Sequence, residues 1–117
     1  MSKISTHGTP RPWLRTVLHV AGNALPIGQR MATIARLLIE HPEGLTRLQM
    51  LAAAPPGIAL NAPALIAQMR KVGAPIESIP TTGTDANGQI VRFVRYRLAG
   101  EMEVRLEPWP RNAEAAQ

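Results

Sequence analysis

The residue types that most often carry out chemistry are sparse in this chain and do not cluster. The histidines His7, His19 and His41 are far apart, and none has a second histidine four residues later, so the sequence contains no metal-binding motif. The run Asp85-Ala86-Asn87-Gly88 echoes a calcium-binding loop but lacks its remaining ligands, which favours a turn. The sequence has neither a glycine-rich phosphate-binding loop nor a glycine-flanked nucleophilic serine. We therefore expect no enzymatic activity, no cofactor and no metal.

Cysteine is absent from the 117 residues, which excludes disulfides, thiolate catalysis and cysteine-ligated metals. A proline, glycine or charged residue interrupts every apolar run before the run reaches transmembrane length. The N-terminus also lacks the charged, then apolar, then small-residue pattern of a secretory signal. We expect a cytoplasmic protein with no membrane partner.

Charge is distributed unevenly along the chain. Thirteen basic and eight acidic residues give a net charge of +5, and eleven of the basic residues are arginines. The net charge is +7 up to Leu98 and −2 from Ala99 onward. A basic body of this kind is typical of proteins that bind a polyanion, most often nucleic acid. The alternative is that the arginine usage reflects a GC-rich genome and carries no functional information.

Composition and periodicity divide the chain into four parts. Residues 1–12 are rich in small polar residues and proline, and are predicted to form a flexible arm. Residues 13–27 form an N-terminal extension, in which the apolar residues from Trp13 to Ala21 recur at helical spacing and predict a short helix. Residues 28–107 are predicted to form the folded domain. Residues 108–117 are predicted to be a disordered tail.

Three helices are predicted in the first part of that domain. The first runs from about Gly28 to Glu40. The second begins at Thr46, because a threonine followed three residues later by a glutamine forms a capping box, and it ends near Ala54. The third begins after Asn61 and ends at Gly73, the expected left-handed terminator. Its inward stripe is predicted to comprise Leu65, Met69 and Val72.

The pattern then changes to that of strands. Residues 76–79 and 90–98 are predicted strands joined by a polar hairpin loop over 80–89. Residues 101–107 alternate apolar and charged side chains and form a third strand. A tight turn at 99–100 is predicted to pair this strand with the second, with Arg92 opposite Glu107. The second strand is also predicted to cover the helical core through Val94, Tyr96 and Leu98.

Residues 28–98 resemble the winged helix-turn-helix family. GLTRLQMLA at 44–52 is similar to that family's second helix, NAPALIAQMRKVGAPIE at 61–77 to its recognition helix running into the first wing strand, and RYRL at 95–98 to the end of the second wing strand. The resemblance implies an α+β fold: a three-helix winged helix-turn-helix core followed by a C-terminal β-hairpin or small antiparallel sheet.

Most members of that family bind duplex DNA, so the resemblance implies a bacterial or phage transcriptional regulator whose third helix enters the major groove. The outward face of this helix is mostly alanine and isoleucine, and base edges are read by hydrogen bonds. We therefore expect phosphate contacts with limited base readout. The predicted DNA-binding residues are Arg47, Asn61, Ala64, Ile66, Ala67, Gln68, Arg70, Lys71 and Arg92.

Two further expectations concern protein partners. The apolar third helix leaves open a different function, in which the surface from Ala52 to Ile66 docks a protein. A homodimer is expected because the predicted strand 90–98 is apolar on both faces and would leave an exposed patch. Either the segment 13–21 or a second chain could cover that patch, and we favour a homodimer in which both contribute. The residues of the patch are Val91, Phe93, Met102, Val104 and Leu106.

Overall fold

The computed structural model describes residues 13–109, and the predicted arm and most of the predicted tail lie outside this range. Two antiparallel three-stranded sheets are present, with strand orders β2-β1-β6 and β3-β5-β4. The elements, in chain order, are β1 (Leu14–Val20), β2 (Asn23–Pro26), α1 (Gln29–Glu40), β3 (Leu45–Thr46), α2 (Arg47–Ala53), α3 (Ala62–Lys71), β4 (Ile76–Thr84), β5 (Ile90–Leu98) and β6 (Met102–Pro108).

The predicted fold class, a three-helix winged helix-turn-helix core with a C-terminal hairpin, is wrong. Strands hold 39% of the described residues and helices 30%, and the strands divide between two separate small sheets. The prediction missed the sheet β2-β1-β6 because it assigned the β1 segment to a helix and because β1 and β6 are far apart in sequence. Local patterns can identify strands but not the distant partners that pair with them.

The helix predicted over Trp13–Ala21 is instead strand β1. Val17 and Leu18 are adjacent in sequence and both are completely buried, which requires cover on both faces of an extended chain. Ala21 and Gly22 have φ values of 53° and 80°, and they turn the chain directly into β2. Two consecutive positive φ values suit a two-residue hairpin turn and end any helix.

The third predicted strand exists as β6, but its predicted partner is wrong. β6 pairs with β1, so that Val104 lies opposite Leu18. It does not pair with β5 because β4 and β3 already occupy both edges of β5 at its C-terminal end. The predicted pair of Arg92 and Glu107 is therefore absent: Arg92 lies opposite Thr82, and the carboxylate of Glu107 contacts His19.

Two of the three local signals for helix ends are confirmed, and the third, at Asn61, is not. The Thr46 hydroxyl accepts a hydrogen bond of 3.2 Å from the backbone N–H of Gln49, and the Gln49 side chain accepts one of 2.8 Å from the backbone N–H of Thr46. Gly73 has a φ of +101° and ends the turn after α3. Asn61 precedes α3, but its side chain makes no capping hydrogen bond.

Helix α1 lies at the centre of the molecule and contacts both sheets and both other helices. Of the three β5 residues predicted to cover the core, Tyr96 and Leu98 pack against it, whereas Val94 is exposed. Of the apolar patch expected to need a partner, Met102 is buried and Val104 packs on the core, because β6 faces α1 and lies beside β1. The largest completely buried side chains are Leu18, Ile34, Leu38, Met50, Ile66, Met69 and Val17.

Candidate nucleic-acid interface

The predicted DNA-binding residues fall on α2, on α3 and on the hairpin formed by β4 and β5. Eight of the nine are exposed: Arg47, Asn61, Ala64, Ala67, Gln68, Arg70, Lys71 and Arg92. The structure therefore places most of the predicted set at the surface. The exception is Ile66.

Ile66 is completely buried and belongs to the core. The inward stripe of α3 consists of Ala62, Ile66 and Met69, whereas Leu65 and Val72 are only partly buried. The predicted stripe therefore shares only Met69 with the observed one. The error arose because the apolar residues of this segment lie on more than one face of the helix, so apolarity alone did not identify the buried face. Ile66 is removed from the candidate interface.

Arg70 is the best-defined basic side chain of the surface. Its Nε donates a hydrogen bond of 3.0 Å to the carbonyl oxygen of Ile76, and its Nη2 donates one of 2.6 Å to the Ser78 hydroxyl. The guanidinium lies 6.0 Å from the centre of the Tyr96 ring, within the range of a cation–π contact. These two bonds use two of the five guanidinium N–H donors. The charge is therefore held at the junction of α3 and β4.

Sequence reasoning did not find the partners of Arg70. Ser78 and Tyr96 lie directly opposite each other on β4 and β5, and α3 brings Arg70 to the same face of the hairpin. Because side chains alternate between the faces of a strand, Arg92 shares this face with Tyr96. The two are about 13 Å apart along β5, at roughly 3.3 Å per residue. The hairpin thus carries one positive charge near its base and another towards its tip.

The only acidic residue in the loop of the hairpin is Asp85, and its side chain is turned back onto the loop. Its Oδ1 accepts hydrogen bonds of 2.9 Å from the backbone N–H groups of Asn87 and Gln89. A carboxylate engaged by two amides in this way forms an Asx-type turn rather than facing a ligand. This is the turn that the run 85–88 predicted.

Charge is asymmetric across the fold. From Gly44 to Ile76 the chain contains no acidic residue, and this stretch includes all of α2 and α3. Residues 44–100 carry six basic and two acidic residues, a net charge of +4, and one acid, Glu77, pairs with Arg97 at 2.7 Å. The rest of the described chain, residues 13–43 and 101–109, carries four basic and five acidic residues, a net charge of −1. The positive charge thus belongs to the helices α2 and α3 and to the hairpin.

Two exposed leucines lie next to Arg47. Leu48 is 76% exposed and Leu60 is 61% exposed, and an Arg47 Nη2 donates a long hydrogen bond of 3.4 Å to the carbonyl oxygen of Leu60. The apolar surface predicted for a protein partner, residues 52–66, is smaller than expected. Four of its apolar residues are buried: Ala54, Ala59, Ala62 and Ile66.

Two other kinds of feature are absent from the described residues. Across residues 13–109, no three histidine or acidic side chains come together where they could hold a metal ion. No helix in that range combines the length and the apolar character needed to cross a membrane. Comparison with family models, curated proteins and solved structures found no match to this chain.

Proposed function

We propose that this protein binds duplex DNA through α2, α3 and the β4–β5 hairpin, mainly by contacts to phosphate. The observation that carries the proposal is the concentration of positive charge on a surface whose central arginine is already held in place. Arg70 is fixed by β4, Lys71 follows it on α3, and Arg92 lies farther along the hairpin. Lysine and arginine contacts to phosphate supply most of the affinity in sequence-independent DNA binding.

The shape of α3 fits this role. Its outward positions include Ala64 and Ala67, whose short side chains let the helix backbone come close to DNA. A B-form major groove is about 12 Å wide and accepts one α-helix. Gln68 is the residue of this face best suited to hydrogen-bond a base edge, so base readout is limited. A role in transcriptional regulation, as the sequence predicts, is part of this proposal.

The test measures binding of the full chain to a random duplex by fluorescence anisotropy at several salt concentrations. Wild-type affinity should fall steeply with salt. The double variant R47A/K71A should bind all sequences more weakly and flatten the logarithmic salt slope by about 0.9 per lost contact. Arg30→Ala on α1 is the control for the effect of one lost charge, because Arg30 is exposed and lies outside residues 44–100. Unchanged affinity and slope in R47A/K71A would contradict the proposal.

The exposed pair Leu48 and Leu60 favours a second candidate function, docking of a protein partner on α2 and the start of α3. A substitution at one of these leucines distinguishes DNA binding from protein docking. Leu48→Ser should leave the salt slope of DNA binding unchanged, because it removes no charge. If wild-type protein shows no salt-dependent DNA binding, protein docking becomes the preferred function.

A further inference from the structure

Among residues 13–109, the outer edge of β6 in the first sheet has no strand beside it, and its outward backbone groups can be identified. β6 is an end strand in the order β2-β1-β6. The backbone N–H of Ile27 donates to the carbonyl oxygen of Thr16 at 3.0 Å, and that of Trp109 donates to the carbonyl oxygen of Trp13 at 2.8 Å. Even-numbered residues of β1 therefore bond towards β2, and odd-numbered ones towards β6. By the same alternation, Met102, Val104 and Leu106 direct their backbone groups away from β1.

Beside this edge lie a hollow, lined by apolar and charged side chains, and an apolar projection. An open concavity of about 300 Å³ lies between α1 and β6, and Leu106, 62% exposed, lies on the same sheet face as Met102 and Val104. The concavity is larger than a leucine side chain. Its lining residues are Arg36, Ile39, Glu40, Met102, Glu103 and Val104.

We infer that β6 pairs antiparallel with β6 of a second copy of this chain, about a two-fold axis that passes through Val104. In this register, each Leu106 lies opposite Met102 of the other copy and enters its hollow. The outward backbone groups of both strands then bond to each other, which removes two free sheet edges. The inference does not depend on DNA binding.

Charge complementarity and the position of Pro108 together favour this register over the two neighbouring ones. Arg105 and Glu103 form an exposed ion pair within one chain. With the axis at Val104, Glu103 of each copy also lies opposite Arg105 of the other, so two favourable cross-strand pairs extend these ion pairs. With the axis at Arg105, arginine faces arginine and Glu103 faces Glu107. With the axis at Leu106, Arg105 faces Glu107, but Val104 faces Pro108, which has no N–H to donate.

The other long edge strand is protected against such pairing. The backbone N–H of Asp85 donates to the carbonyl oxygen of Gln89 at 2.9 Å, so odd-numbered residues of β4 bond towards β5. Pro80 therefore lies at an outward position of β4, where its missing N–H interrupts any added ladder. The outward carbonyl oxygen of Ile76 already accepts a hydrogen bond from Arg70 and is therefore not free to pair with an added strand. From Met102 to Glu107, β6 has no proline.

The first test is the mass of the full chain in solution at micromolar concentration, measured by light scattering. We expect a dimer. Glu103→Arg places like charges together at both symmetric contacts and should weaken the dimer about tenfold or more. The charge-swapped variant E103R/R105E should restore it. Leu106→Lys should give monomer, whereas Leu48→Lys, the same change at an exposed leucine on α2, should leave the dimer intact.

The second test examines the register. The chain has no cysteine, so an introduced thiol is unique in each copy. Oxidation of Val104→Cys should link the copies, because the α-carbons of directly opposite, hydrogen-bonded residues are about 5.5 Å apart, within disulfide range. Glu101→Cys is the control and should not link, since residue 101 lies opposite residue 107 of the other copy. A monomeric wild type, a dimer insensitive to Glu103→Arg and Leu106→Lys, or equal cross-linking of both cysteine variants would overturn the inference.

Discussion

The Arg70 side chain binds the backbone of Ile76, with its Nε 3.0 Å from the carbonyl oxygen. This bond spans the turn at Gly73 and connects the last turn of α3 to the first residue of β4. A second bond of 2.6 Å, to the Ser78 hydroxyl, fixes the orientation of the guanidinium. The basic residues of α3 and of the hairpin are thus mechanically coupled, which lowers the entropic cost of placing both on one ligand.

Arg70→Ala and Lys71→Ala form a matched pair of adjacent substitutions. Each removes one positive charge, so each should reduce the logarithmic salt slope of DNA binding by about 0.9. Only Arg70→Ala should also lower the free energy of unfolding, by roughly 1 kcal/mol, because only Arg70 bonds to β4. Urea denaturation measures the second effect. Equal stability of the two variants would show that the bonds to Ile76 and Ser78 do not anchor the hairpin.

Ile66→Asp and Ala67→Asp place the same charge at neighbouring positions of α3. Ile66 is completely buried, so Ile66→Asp should abolish cooperative folding, since it loses apolar packing and buries a carboxylate without a partner. Ala67 is exposed, so Ala67→Asp should melt within a few degrees of the wild type. It should nevertheless weaken DNA binding by repelling phosphate. Circular dichroism melting and anisotropy are the readouts, and a stable Ile66→Asp variant would contradict the observed phase of α3.

Gly73→Ala should destabilise the protein by about 1–3 kcal/mol. Gly73 has a φ of +101°, and an added Cβ would lie 2.7 Å from the Cβ of Ala21. Gly28→Ala is the control: Gly28 has an extended backbone, and a Cβ there meets nothing within 4 Å. Its stability should stay within about 1 kcal/mol of the wild type, because the reduced freedom of the unfolded chain offsets the loss of a favourable N-cap residue of α1. Thermal unfolding of both variants measures the difference, and a similar loss in both would argue against the strained turn.

Much of the candidate site could be predicted from local sequence, because exposure of charged side chains needs no knowledge of distant contacts. Arg47, Lys71 and Arg92 are exposed as predicted. The role of Arg70 could not be predicted in full, since its partners Ser78 and Tyr96 belong to strands whose pairing sets their positions.

The helices α1, α2 and α3 and the strand β5 were determined by the sequence itself. The capping box of Thr46 and Gln49 and the terminator Gly73 act within a few residues, so their patterns are visible in the chain. Only the tertiary structure decided what β6 pairs with and that Leu14–Val20 is a strand. Those outcomes depend on which sheet edges are free. β3 and β4 occupy the edges of β5, and this leaves β6 to pair with β1, which lies more than 80 residues earlier in the chain.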